Sequence, residues 1–133
     1  IDENNPSLGK ILLTPTRIYV KILENLIDSG KVKGLAHITG GGFYENINRI
    51  IPENCNARIN KKAWKVPSIF NFLQDAGNIE VEEMYRVFNM GIGMAIVIDK
   101  NDLDFAQKIL NKSSENLLEI GVITKGSGMV EVV

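Results

Sequence analysis

His37 is followed, one residue later, by Thr39-Gly40-Gly41-Gly42, and this run leads into a helix-like segment opening at Phe43-Tyr44-Glu45-Asn46. Consecutive glycines leave backbone N–H groups bare. In a turn just before a helix, such groups converge on an anion, and the helix dipole adds to the attraction. The chemistry expected of Gly40, Gly41 and Gly42 is therefore the holding of a phosphate group. Glycines also serve tight turns and close packing, so the run by itself leaves both uses open. His37, at the end of an expected strand, places an imidazole beside whatever the loop holds, where it could donate a hydrogen bond or move a proton. A lone histidine there equally serves to tie down neighbouring backbone.

Further polar groups surround this run in the sequence. The Thr39 hydroxyl stands at the mouth of the loop, able to contact phosphate or to satisfy the turn's own backbone. Asn46 and Arg49 lie three apart on the following helix and share a face, which could carry an amide and a guanidinium toward a nucleotide-like substrate. Arg49 could equally be solvated. Thr16-Arg17 follows Pro15, and a guanidinium fixed beside a hydroxyl suits phosphate or carboxyamide recognition. The alternative for that pair is helix capping plus a surface ion pair. In Asn89-Met90-Gly91-Ile92-Gly93 the alternate glycines permit close approach of a ligand or of another strand. Tyr19, Phe88 and Met90 read as packing, Trp64 as a loop anchor, and Lys61, Lys62 and Lys65 as a solvated face.

These groups need elements to position them. Val20, Leu23, Leu26 and Ile27 recur at helical spacing before Gly30, which predicts a helix from about Lys21 to Ser29. A strand from Val32 to Ile38 delivers His37 to the glycine loop, and the next helix runs from about Phe43 to Ile50, closed by Pro52. A short strand is expected at 57–59, a helix after Pro67 through Leu73 to Gly77, and another over Val81 to Val87. Ile92 to Ile98 reads as a buried strand. Asp99 to Asp102 forms a turn and cap for an amphipathic helix through Leu103, Ala106 and Leu110. Strands at Leu117 to Lys125 and Met129 to Val133 complete the pattern. Strands and helices alternate too irregularly for a doubly wound repeat, which favours an α+β domain with helices packed on a mixed sheet.

Composition narrows the function classes. The 133 residues, 44% hydrophobic and 23% charged, suffice for one domain with a real core. Fifteen basic against sixteen acidic side chains give a net charge of -1, so no global positive field attracts nucleic acid or anionic lipid. With one cysteine, Cys55, and one histidine, His37, an internal disulfide and a zinc site built of several such residues are excluded. Cys55 is expected to be inert. No apolar run approaches a membrane span and the first residues do not resemble a signal peptide, which fits a cytoplasmic setting. A start at Ile1 rather than methionine is expected of a piece of something longer or of a processed product.

Four blocks, in order, carry a resemblance: Leu12-Leu13-Thr14-Pro15-Thr16-Arg17-Ile18-Tyr19, the His37 to Gly42 run, Trp64-Lys65-Val66-Pro67-Ser68-Ile69-Phe70, and Phe88-Asn89-Met90-Gly91-Ile92-Gly93-Met94. Together they resemble the carboxy-terminal domain of phosphoribosylformylglycinamidine cyclo-ligase, also called aminoimidazole ribonucleotide synthetase. The likeness runs from about Leu12 to Ile98, with little family signal beyond. It implies a layered α/β domain with partial ferredoxin-like character, occupying residues 1–133. It also implies an absent amino-terminal domain that carries most of the ATP site and much of a homodimer interface.

The implied activity is ATP-dependent closure of formylglycinamidine ribonucleotide to aminoimidazole ribonucleotide in purine biosynthesis, with Mg2+ accompanying ATP. This domain would then form one wall of the cleft and be inactive alone. Under the resemblance His37 is the candidate catalytic group. Thr16, Arg17, Thr39, Gly40, Gly41, Gly42, Asn46 and Arg49 are the candidate substrate or phosphate contacts. Sister enzymes share the architecture, among them a hydrogenase maturation factor, but the tail Val130-Glu131-Val132-Val133 lacks that factor's terminal cysteine. A free-standing anion-binding module without catalysis is the remaining alternative.

Overall fold

The computed structural model describes residues 7–133. Ser7 opens α1 (Leu8–Leu12), its hydroxyl accepting from the Lys10 N–H at 3.4 Å. This helix has no counterpart in the sequence expectations. It buries no residue, so no inward-facing stripe marks it. In α2 (Val20–Asp28) Leu23 and Leu26 are buried, whereas Val20 and Ile27 stay exposed.

There follow β1 (Val32–His37), α3 (Gly42–Asn48), β2 (Cys55–Ile59), α4 (Ser68–Gly77), α5 (Val81–Val87), β3 (Met94–Ile98), α6 (Leu103–Asn111), β4 (Gly121–Lys125) and β5 (Val130–Val132). A turn of 3₁₀ helix at Lys100–Asp102 leads into α6, and the Asp99 carboxylate accepts from the Asn101 N–H at 3.0 Å. The class is α+β, and each expected element is present within a few residues. The ladders are two rather than one. β1 and β3 pair antiparallel, while β2 lies between β4, antiparallel to it, and β5, parallel to it.

Alternation along β1 explains the layering. Successive side chains of a strand point to opposite faces. Leu35 joins the cluster built on Leu23, Leu26, Ala106 and Leu110, under α2 and α6. Ala36 and Ile38 join the other cluster, with Phe43, Ile47, Ala57, Ile59, Met84, Tyr85 and Met90. The β3 strand does the same, sending Met94, Ile96 and Ile98 to the first cluster and Ala95 to the second. The β1–β3 ladder is thus a shared wall between two cores, which explains the near-continuous apolar run of β3.

Two phenols, one buried and one partly buried, make stability depend on pH. Burial holds the Tyr85 phenol above its ordinary value of 10.0, and burial followed by the nearby Glu82 carboxylate does the same for Tyr44. The neutral phenols are the forms the fold favours. Their contribution is complete below the unfolded value and is lost as pH rises through the folded ones. Chemical unfolding across an alkaline series should show the midpoint falling above about pH 10, and Tyr85→Phe should remove part of that fall. Leu26→Ala, at a fully buried position, should cost about 2–5 kcal/mol with an unchanged denaturant slope.

Candidate functional site

The glycine loop leaves β1 at its carboxy-terminal end and turns back on itself, the Gly42 N–H donating to the Thr39 carbonyl at 3.0 Å. Gly41, the N-cap of α3, sits at φ 91°, where a side chain is disfavoured. The buried Asn46 closes the turn from below. Its Nδ2 donates to the carbonyl oxygens of Thr39 at 3.4 Å, Gly40 at 3.1 Å and Gly42 at 2.8 Å. With the carbonyls gathered on the Asn46 side, the N–H groups of Gly40 and Gly41 have no acceptor among the described residues. That arrangement suits an anion.

The three glycines hold their places for different reasons. A Cβ at Gly42 would run into the backbone of Tyr85 and Arg86, so this glycine lets α5 seat directly on α3. A Cβ at Gly41 would meet the Glu45 side chain, and the backbone there is left-handed as well. A Cβ at Gly40 would have nothing within 4 Å. Only Gly40 is free to change without disturbing the fold, and it lies in the exposed part of the loop.

The remaining candidates divide by location. His37 is exposed at the end of β1 and lies edge-on to the Tyr19 ring, with centroids 5.7 Å apart and planes at 68°. Thr39 is exposed beside it. The Asn46 amide, expected to reach toward substrate, is instead committed to loop carbonyls and acts on the site by shaping it. Arg49 is exposed, 3.4 Å from Glu45 and 3.5 Å from the Asn46 side-chain oxygen. Arg17 forms an ion pair with Glu115, whose segment is held to α6 by Gln107 through the Glu115 carbonyl at 3.2 Å and the Leu117 N–H at 3.0 Å. Arg17 is the more exposed partner, and a pair of this kind contributes little to stability. Thr16 is exposed and does not cap α2, whose N-cap is Tyr19.

The other family-like blocks come to the same end of the ladder. Because β3 runs antiparallel to β1 and pairs Met94 with His37, Asn89 to Gly93 lies beside the glycine loop. The Ile38 N–H donates to the Gly93 carbonyl at 2.9 Å. Asn89 turns this segment, its side-chain oxygen accepting from the Gly91 N–H at 3.0 Å, and Met90 sits at φ 50°. Trp64 anchors it as expected, donating to the Met90 carbonyl at 2.9 Å while stacking on Phe43 at 5.6 Å. An open depression lined by Asn48, Ile51, Glu53, Asn54 and 126–128 lies toward the opposite end of α3 and includes no candidate residue.

A family model described as AIR synthase related protein, C-terminal domain, matches residues 1–133. The chain belongs to this family. This AIR synthase-related domain is 52% identical over 130 residues to a phosphoribosylformylglycinamidine cyclo-ligase of Thermoanaerobacter sp. (strain X514), covering 98% of the chain and 38% of that relative. It is 46% identical over 130 residues to the protein of the same name from Alkaliphilus oremlandii (strain OhILAs), with the same coverage. The domain thus spans well under half the length of these relatives. Among solved structures, E. coli HypE, a hydrogenase maturation protein, superposes with a TM-score of 0.63 at 19% identity, covering 87% of this chain and 36% of that one. At that identity the likeness is one of fold.

The domain's fit to the groups its family resemblance implies follows from the donor set. Free N–H groups, Arg17 and the exposed hydroxyl of Thr39 suit phosphate oxygens. Among the described residues no group of three or more His, Cys, Asp or Glu side chains could hold a metal. Mg2+ commonly binds through one or two carboxylates and substrate phosphates, so a nucleotide-borne ion does not need such a group here.

Two substitutions separate shaping from packing. Asn46→Ala, which removes one amide donor shared by three loop carbonyls, should cost about 1–3 kcal/mol. Gly42→Ala should cost about as much through overpacking, and more through its φ of 53°. Denaturant midpoints measured beside Gly40→Ala, expected within about 0.5 kcal/mol of the parent, provide the check.

Proposed function

We propose that the full-length protein carries out ATP-dependent cyclisation of formylglycinamidine ribonucleotide to aminoimidazole ribonucleotide in purine biosynthesis, with this domain forming one wall of the cleft. The names of relatives that are 46% and 52% identical over 98% of the chain support the reaction. The observation that carries the domain's role is the anion-receptive turn, with N–H groups of Gly40 and Gly41 free and His37 on the strand end from which the turn leaves. The reaction brings with it ATP and Mg2+, a cytoplasmic setting and a homodimer formed mainly through the amino-terminal domain. No described helix is long and apolar enough to cross a membrane.

Each residue then has a task. Phosphoryl transfer from ATP to the formyl oxygen would activate that carbon for attack by the amidine nitrogen, phosphate leaving as the ring closes, and Mg2+ held on the nucleotide's phosphates would supply charge neutralisation. The Gly40 and Gly41 N–H groups hold a phosphate of substrate or nucleotide in a turn that is already formed, so little reorganisation accompanies binding. His37 donates a hydrogen bond to that ligand or takes the proton released in ring closure. Arg17, two residues before Tyr19, adds positive charge, and Thr39 offers its hydroxyl. Asn46 keeps the carbonyls turned away from the anion. Arg49 steadies Asn46 and offsets the charge of Glu45, which would otherwise oppose the ligand.

Turnover of formylglycinamidine ribonucleotide with ATP should be seen for the full-length protein and not for the 133-residue chain. Activity in neither, with both folded, would remove the assignment. Gly40→Val in the full-length protein, at the one loop position with open space, should weaken binding of the phosphate ligand by roughly tenfold or more in calorimetry without shifting the unfolding midpoint. Unchanged affinity would take the phosphate away from this loop.

A further inference from the structure

The contact between Tyr19 and His37 is not required by either core. Tyr19 packs against the cluster under α2 and α6, and its carbonyl accepts from the Leu23 N–H at 3.0 Å, so its backbone is fixed at the start of α2. His37 projects from the same face of β1 as Leu35, two residues earlier, which brings the imidazole to the rim of that cluster. There the edge of one ring meets the face of the other at 5.7 Å and 68°, a favoured aromatic geometry. The approach depends on Gly93. A Cβ at that position would occupy the place of the Tyr19 hydroxyl, so any side chain there would push the ring away.

We propose that Tyr19 is a positioning residue that fixes the direction of the His37 imidazole at the end of β1, where the glycine loop begins, and that Gly93 is kept free of a side chain to admit it. The proposal rests on the role given to His37 above. An exposed imidazole on a strand end has several staggered orientations open to it. A ring braced on one side selects among them and holds the nitrogens in one direction before ligand arrives. The brace is itself held, since Gly93 accepts the Ile38 N–H at 2.9 Å and Met94, the next residue, pairs with His37. The phenol, the imidazole and the loop entrance are therefore tied to a single backbone junction. The Tyr19 hydroxyl makes no hydrogen bond among the described residues, so the ring and not the phenol oxygen carries the brace.

In the full-length protein, Tyr19→Ala, Tyr19→Phe, His37→Ala and the double variant Tyr19→Ala/His37→Ala are compared in two ways. One is ATP-dependent turnover. The other is the proton and carbon signals of the His37 imidazole, assigned by their loss in His37→Ala. Tyr19→Ala is expected to move the His37 signals and to lower kcat by roughly three- to tenfold, the range of an aromatic pair, with KM for ATP unchanged. Tyr19→Phe is expected to keep both, and the double variant to be no slower than His37→Ala alone. Where Tyr19→Ala does not fold, Tyr19→Leu keeps the apolar bulk and loses the aromatic edge. Unmoved His37 signals overturn the proposal, and so do losses that add in the double variant. Full turnover by His37→Ala removes the chemical role of His37 instead, and the signals alone then decide whether Tyr19 orients it.

Discussion

Because β1 and β3 are paired antiparallel and covered on both faces, one ladder fixes both cores and the site at its end. Leu35 and His37 face α2, Ala36 and Ile38 face α3, and a shift of one residue would exchange the two sets. Such a slip would bury His37 in an apolar layer and expose Ile38, so burial of Ile38 and Ala36 sets where the imidazole emerges. The same register brings Gly93 against Ile38 and so joins the two glycine-bearing loops. The site is in this sense a by-product of strand alternation, sharpened by a few local bonds.

The most consequential of those bonds belong to Asn46. A turn with bare N–H groups carries an equal number of carbonyls, and carbonyls facing the same way would cancel the attraction for an anion. Three of them converge on a single buried amide, whose oxygen in turn lies near Arg49. The fold thereby separates donors from acceptors at the loop and leaves no buried side-chain polar atom unpartnered among the described residues. Preorganisation of this kind lets a ligand meet a formed surface rather than an ordering loop.

Much of this was legible in the sequence. Helical spacing in Leu23 and Leu26, β-branched runs in β3 and the Asp99 cap marked their elements because each signal is local. The glycine run and the family-like blocks mark the candidate site for the same reason. What escaped notice depends on residues far apart along the chain. No pattern near Gly42 announces that α5 backbone will press on it, nor does any pattern near Tyr19 announce Gly93. The Asn46 amide closes the preceding turn, and such closure looks the same in sequence as an amide offered to ligand. The division into two ladders and the presence of α1 likewise follow from packing rather than local composition.

The placement of β2 has a consequence for how the molecule comes together. Both of its neighbours, β4 and β5, come from the stretch 121–132, while β2 itself spans 55–59. On the ribosome β1 and β3 can meet as soon as residue 98 has emerged, but β2 stays unpaired until residues 121–132 have been synthesised. Ala57 and Ile59, the residues it contributes to the core, must wait with it. The half of the domain that carries the glycine loop therefore depends for its final closure on the last strands to be made.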